Sequence, residues 1–243
     1  MTTTALAIGA LWRRPGRQPL VVEADPDGGV LAARFGLGAH PSLTDLAGRT
    51  RSGLRPTDAW DHAQHLPGGL GVVVAHPSAE QAQAALRTGA SRIGEHLASI
   101  RHTDVLVDAG SLGPGSPSLP LLEWATMVLV VLRPRLDEIS ALAQRLPVLQ
   151  EEADVGLVLV GKQPYGASEV ANTLGVDVVA VLADDPRGAA ALDGSAGTKR
   201  WTKSALGRSA ADAATAITAR LQAEEVTVDL REIQGQVRGE ATP

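Results

Sequence analysis

The stretch Leu20-Val21-Val22-Glu23-Ala24-Asp25-Pro26-Asp27-Gly28-Gly29 runs an unbroken apolar segment into two carboxylates on alternate positions, a proline and a glycine pair. An apolar run without polar alternation suits a strand covered on both faces, as in a parallel sheet sandwiched by helices. Runs of the same kind recur at 70–75, 104–109, 127–132, 155–161 and 176–182. Between them lie stretches of helical character, rich in Ala, Leu and Glu, at 3–13, 79–101, 136–152 and 168–174. This alternation predicts an α/β fold: a doubly wound, mostly parallel sheet flanked by helices and joined by right-handed crossovers.

Outward from these runs, the chain of 243 residues can bury a sizeable core, and one domain over residues 1–224 is expected. Residues 186–208 hold four glycines and read as loop with one short helix. Residues 209–224 then read as a closing helix, because Ala210, Ala213, Ile217 and Leu221 fall on one face. A polar C-terminal tail is expected at 225–243. The formal charge of −5 gives no global positive field for nucleic acid or an anionic membrane. The absence of cysteine excludes disulfides, thiolate nucleophiles and cysteine-ligated zinc, and it fits a reducing, cytoplasmic setting. No apolar run approaches the roughly 20 residues that cross a bilayer, so no transmembrane segment is expected.

In a doubly wound sheet, ligands bind beyond the carboxyl ends of the strands. Here those ends carry acids: Glu23 and Asp25 after the first run, and Asp108 in Val105-Leu106-Val107-Asp108-Ala109-Gly110. Two strand-end acids suit a site for Mg²⁺ and a nucleotide, one holding the ion through water and the other orienting an attacking water. The plainer alternative is that Asp25 and Asp108 cap the turns that follow them. Their order along the chain favours the functional reading.

Met1-Thr2-Thr3-Thr4-Ala5-Leu6-Ala7-Ile8-Gly9, followed by residues 19–29, resembles the order found in the ParA/MinD class of P-loop ATPases: GKTTTA on a helix, then a strand ending in DxDPxxG. Residues 105–110 are similar to that family's Walker B strand. Residues 128–134, and 158–162 with Pro164, resemble its later strands and base-binding loop. Among such proteins the chain is most similar to actinobacterial MinD-like and CpaE/TadZ-like relatives, some associated with Flp/Tad pili. The resemblance implies ATP and Mg²⁺ as cofactors. It gives Thr2 and Asp108 to Mg²⁺, Thr3 to a phosphate, Asp25 to the attacking water, and Glu23, Gly110 and Lys162 to the nucleotide site. It also implies a homodimer formed around ATP, and a protein partner in a polar or envelope assembly whose position the switch controls.

The chain departs from the family pattern at its start, where no strand, Gly-rich loop or Lys stands before Thr2 and Met1 takes the place of that Lys. Two explanations stand open. The native gene starts further upstream and this is a shortened product, the reading favoured here. Otherwise the protein is a pseudo-ATPase scaffold that binds protein partners without turnover. Glu23 stands where the family usually has Asp, and Lys162 where many relatives place a base-recognising Asn. Lys199, Arg200, Lys203 and Arg208 raise a third reading, a DNA-segregation ATPase, against the acidic balance of the chain. His62, His65 and His76 with Asp61 read as surface residues and not as a metal cluster.

Overall fold

The computed structural model describes residues 1–195 and 201–239. In chain order its elements are α1 (Thr2–Leu11), β1 (Gln18–Glu23), α2 (Leu31–Phe35), α3 (Leu43–Arg49), α4 (Asp58–Asp61), β2 (Gln64–His65), β3 (Gly71–Val73), α5 (Ala79–Ser99) and β4 (Thr103–Asp108). A 3-10 turn at Leu119–Trp124 leads into β5 (Val128–Leu132), α6 (Leu136–Ala143), α7 (Leu146–Glu152), β6 (Val155–Val160), α8 (Ala167–Leu174) and β7 (Val178–Leu182). Then come α9 (Pro186–Ala190), a short π-turn, a second 3-10 turn (Trp201–Lys203) and α10 (Ala205–Gly239).

The strands form two sheets, ordered β2-β3-β1-β4 and β5-β6-β7. Pairing is parallel throughout except for the two-residue edge strand β2. In β1 the side chains divide by alternation: Val21 joins the cluster under α1 and α10, while Leu20 and Val22 join the cluster under α3 and α5. The first of these clusters also takes Val158 and Leu182 from the second sheet, so α1 and α10 cover both sheets from one side. The expected α/β architecture, a mostly parallel sheet flanked by helices, is therefore observed.

Three expectations change in detail. The helix expected over 136–152 is two helices, because Pro147, near the start of α7, has no N–H to continue the α6 ladder. The segment 30–66, left without elements in the sequence reading, holds α2, α3, α4 and β2, each too short to show a period. The closing helix does not stop at 224; α10 is helical to Gly239, since no proline interrupts 205–239. No helix among the described residues is long and apolar enough to cross a membrane.

Candidate functional site

The carboxyl ends of β1 and β4 meet in register, Glu23 opposite Asp108, and this pairing assembles the site. The chain then leaves both strands through loops that glycine makes feasible. Gly29 packs so closely on the Ala75 carbonyl that a side chain has no room, and its ideal Cβ would also lie 2.7 Å from Glu23 Oε2. Gly110 has φ +63°, and Asp25 rests its carboxylate against the place a Cβ would take. Asp25, Glu23, Asp108 and Gly110, which the sequence reading placed in one site, are therefore neighbours.

Their chemical situations differ. Glu23 is 1% exposed, and its Oε1 accepts the N–H groups of Val30 (2.7 Å) and Leu31 (3.1 Å) while Oε2 accepts that of Ala75 (3.0 Å). Both oxygens thus tie down the loop after β1 and the end of β3. Burial pushes this carboxyl up from its ordinary value; the three N–H bonds oppose the shift, and Asp108 adds to it. Asp25 accepts the Asp27 N–H at Oδ1 (2.9 Å) and is likewise pushed up, first by burial and then by Asp108 and Asp27. The Met1 ammonium acts on Asp25 in the opposite direction, so the amino end of α1 lies within electrostatic reach of the acids.

Asp108 is buried as deeply but is poorly satisfied. Its Oδ1 takes only a long bond from Gly110 N–H (3.4 Å), and its Oδ2 is buried with no partner. An orphaned carboxylate oxygen in an acidic cluster is costly unless a cation or its water meets it. No group of three or more His, Asp or Glu that could enclose a metal occurs among the described residues. The donor set instead fits a hard cation that takes one carboxylate and keeps most of its waters, as Mg²⁺ does.

The remaining expected residues lie around this cluster. Thr2 and Thr3 form the first turn of α1, which has no side-chain cap; Thr3 Oγ1 accepts a bond from Arg34 (3.3 Å), itself paired with Asp193. Met1 lines the same cavity as Asp108 and Gly110, which brings the amino end of α1 to the acids. Lys162 follows β6 behind Gly161 and is exposed; it lies in the other sheet, at its carboxyl rim, and makes no pair with the acids. Sequence reasoning missed Ser118, a fully buried hydroxyl that donates to the Ala24 carbonyl (2.8 Å) and anchors the loop after β4. A serine within Ser111-Leu112-Gly113-Pro114-Gly115-Ser116-Pro117-Ser118 carries no signal that separates it from its neighbours.

Elsewhere, His62 Nδ1 meets the Asp58 carbonyl and His76 Nδ1 accepts the Ser78 N–H, so neither turns to a shared ion. Of the basic residues considered for DNA, Lys199 and Arg200 lie outside the described residues. Lys203 is exposed, and Arg208 donates to its carbonyl (2.5 Å).

No protein family matches the chain by sequence, and no curated protein does. Solved structures do match. A ParA family ATPase from Chlorobium tepidum superposes with a TM-score of 0.72 at 18% identity, covering 88% of this chain and 91% of the other. The cell division ATPase MinD from Pyrococcus furiosus gives 0.70 at 20% identity, covering 90% and 92%. MinD from Pyrococcus horikoshii, complexed with Mg-ADP, gives 0.65 at 17% identity, covering 87% and 86%. The chain has the ParA/MinD-like P-loop ATPase fold.

Proposed function

We propose that this protein is a ParA/MinD-like nucleotide-dependent switch that binds ATP with Mg²⁺ where β1, β4 and α1 meet, and that positions a cytoplasmic or envelope-linked assembly such as a pilus or secretion system. The observation that carries the reading is Asp108 Oδ2, buried and unpartnered beside two further carboxylates. Asp108 would hold the ion, through water, with the Thr2 hydroxyl as a second contact. The N–H groups of the first turn of α1, with Thr3, would face the phosphates, since a helix amino end favours anions. Asp25, its carboxyl raised by burial and resting on Gly110, would orient the attacking water. Bound Mg²⁺ would neutralise phosphate charge during transfer. Glu23 has its acceptor capacity engaged by backbone and serves as the pin of the loop that carries Asp25. In the solved neighbour named above, MinD, the bound species is Mg-ADP, which supports the same ligand class here.

A second reading, a binding scaffold without turnover, draws on a specific feature: among the described residues no Lys or Arg pairs with Asp25 or Asp108. Transfer of a phosphoryl group leans on such a cation. Isothermal titration calorimetry with ATP-Mg²⁺, run beside phosphate release, separates the two. Binding that is lost in Asp108→Ala, with phosphate released, supports the switch. Binding without release supports the scaffold. Equal binding by Asp108→Ala and the parent would place the nucleotide elsewhere and overturn the site. The homodimer belongs to the same proposal and is checked by light scattering with and without ATP-Mg²⁺.

A further inference from the structure

A bound phosphate calls for a cation, and among the described residues no Lys or Arg pairs with Asp25 or Asp108. A positive charge stands instead at the amino end of α1. Arg34 Nη2 donates to Thr3 Oγ1 (3.3 Å) in the first turn of that helix, and the same nitrogen meets Asp193 Oδ1. α2 places it there. This helix starts on Glu23, whose Oε1 accepts the N–H groups of Val30 and Leu31, and Glu23 lies in register with Asp108. Arg34 follows Leu31 by three residues, a rise of about 4.5 Å. One short helix therefore carries the chain from the acids to a guanidinium that touches Thr3.

The pair with Asp193 is open to exchange. Asp193 comes from the π-turn after α9, which packs on α2. The Arg34 side chain is 22% exposed and that of Asp193 34% exposed. An ion pair that water reaches from both partners contributes little, and a phosphate oxygen, carrying more negative charge, competes well for the same guanidinium. Both bonds of Arg34 leave from Nη2, so Nη1 and Nε take part in neither. The planar fork can keep Thr3 and hold a phosphate through its other donors. A helix amino end alone is a weak anion site. Here Asp108, 4% exposed and with Oδ2 unpartnered, lines the same cavity as Met1, the residue that caps α1, and marks where a metal ion would accompany the anion.

We propose that Arg34 is a phosphate-binding cation of the nucleotide site, exchanging Asp193 for an oxygen of the ATP phosphate tail, and that Asp193 competes with the nucleotide for it. The charges are then divided: Asp108 takes Mg²⁺ through water, and Arg34 neutralises the tail from α2. Because the start of α2 is tied to Glu23, the exchange moves a side chain and leaves the helix in place. The proposal rests on the nucleotide reading and adds to it a residue away from the strand ends.

The test is calorimetry of the full chain with ATP-Mg²⁺, beside thermal unfolding of each variant without nucleotide. Arg34→Gln is expected to weaken binding about ten- to hundredfold, the loss typical of a hydrogen bond between charged groups. Arg34→Lys, which keeps the charge and gives up the fork, should fall between it and the parent. Asp193→Asn removes the competitor and is expected to tighten binding about two- to fivefold, as befits a partly exposed ion pair. Binding by Arg34→Gln equal to the parent's overturns the proposal. Equal weakening in Arg34→Gln and Asp193→Asn also overturns it, since the pair is then a structural tie between α2 and the π-turn. Unaltered affinity in Asp193→Asn overturns the competition. If Arg34→Gln does not fold, Arg34→Lys takes its place: weaker binding there with tighter binding in Asp193→Asn supports the proposal, and binding equal to the parent's overturns it. Asp108→Ala separates this proposal from the reading beneath it. Equal binding by Asp108→Ala and the parent, or no binding by the parent, sinks the nucleotide site and the role of Arg34 together. Binding lost in Asp108→Ala but kept in Arg34→Gln overturns the arginine alone.

Discussion

Glu23 and Asp108 face each other in register at the ends of adjacent strands, are both buried, and should respond to mutation in opposite ways. Glu23→Ala removes the acceptor of three backbone N–H groups. Val30 is exposed, and its N–H can turn to water, but Leu31 and Ala75 are buried at 0% and 1% exposure. Each buried donor left without a partner costs about 1–3 kcal/mol. Removing a charge that burial and Asp108 already disfavour returns part of this, so the net loss is worked as about 3 kcal/mol. For a domain of this size that is roughly 6–12 °C in Tm. Asp108→Asn instead gives up one long bond and relieves repulsion with Glu23 and Asp25; its Tm should equal or exceed that of the parent. The assay is thermal unfolding followed by circular dichroism at pH 7 without nucleotide. Equal losses in the two variants, or a Glu23→Ala loss below about 1 kcal/mol, would refute the division into a structural carboxylate and a poised one.

Other consequences follow from the same contacts. Burial raises the Glu23 carboxyl from its ordinary 4.5, so the folded state keeps that proton to higher pH than the unfolded chain does, and the stability it contributes is full below the unfolded value and declines as pH rises through the folded one. Urea midpoints of the parent minus those of Glu23→Gln should therefore fall as pH rises above 4.5, and a constant difference would contradict the raised carboxyl. Gly110→Ala forces a left-handed backbone and drives Asp25 from its seat; a loss of about 1–2 kcal/mol is expected, with ATP-Mg²⁺ affinity reduced in calorimetry. Asp104 accepts from the Trp12 indole (2.7 Å), Arg14 (3.1 Å) and Arg17, so Asp104→Ala should cost about 3 kcal/mol in urea unfolding and alter Trp12 fluorescence. Asp185→Ala, which frees the Gly188 N–H at the start of α9 and the Leu206 N–H of α10, should lower stability by about 1 kcal/mol and is checked in the same urea series.

The central strands were legible because each is an apolar run without alternation, a pattern that hydrophobic burial on two faces imposes directly. The acids were legible for the same reason: a carboxylate that ends such a run must sit at the rim where the sheet stops. What the sequence could not convey was the difference between those acids. Glu23 and Asp108 end similar runs, yet one meets three N–H groups and the other nearly none. The partners of Glu23 come from Val30, Leu31 and Ala75, the last of them 52 residues away in sequence. The segment 30–66 was opaque for another reason, since helices of four to seven residues give a periodic signal little room to develop. α10 outran its expected end because a helix already nucleated propagates at small cost per residue and no proline interrupts 205–239.

Three carboxylates within mutual influence and, among the described residues, no basic side chain paired to Asp25 or Asp108 make a site that the described residues leave electrostatically incomplete. Had Asp25 and Asp108 served only as turn caps, each would be expected to hold strong N–H bonds, as Asp185 does with Gly188 and Leu206; Asp185 is accordingly held below the usual carboxylate range, and by those bonds first. Asp25 holds one such bond, from the Asp27 N–H (2.9 Å), yet burial and its acidic neighbours shift it the other way, and Asp108 keeps a buried oxygen with no partner. Within one chain, then, a capping aspartate and the strand-end aspartates are distinguishable by what their oxygens meet. The free energy missing from the second kind is the quantity that a divalent cation and its water would supply, and a thermal shift on adding Mg²⁺ with nucleotide, absent in Asp108→Asn, would measure it.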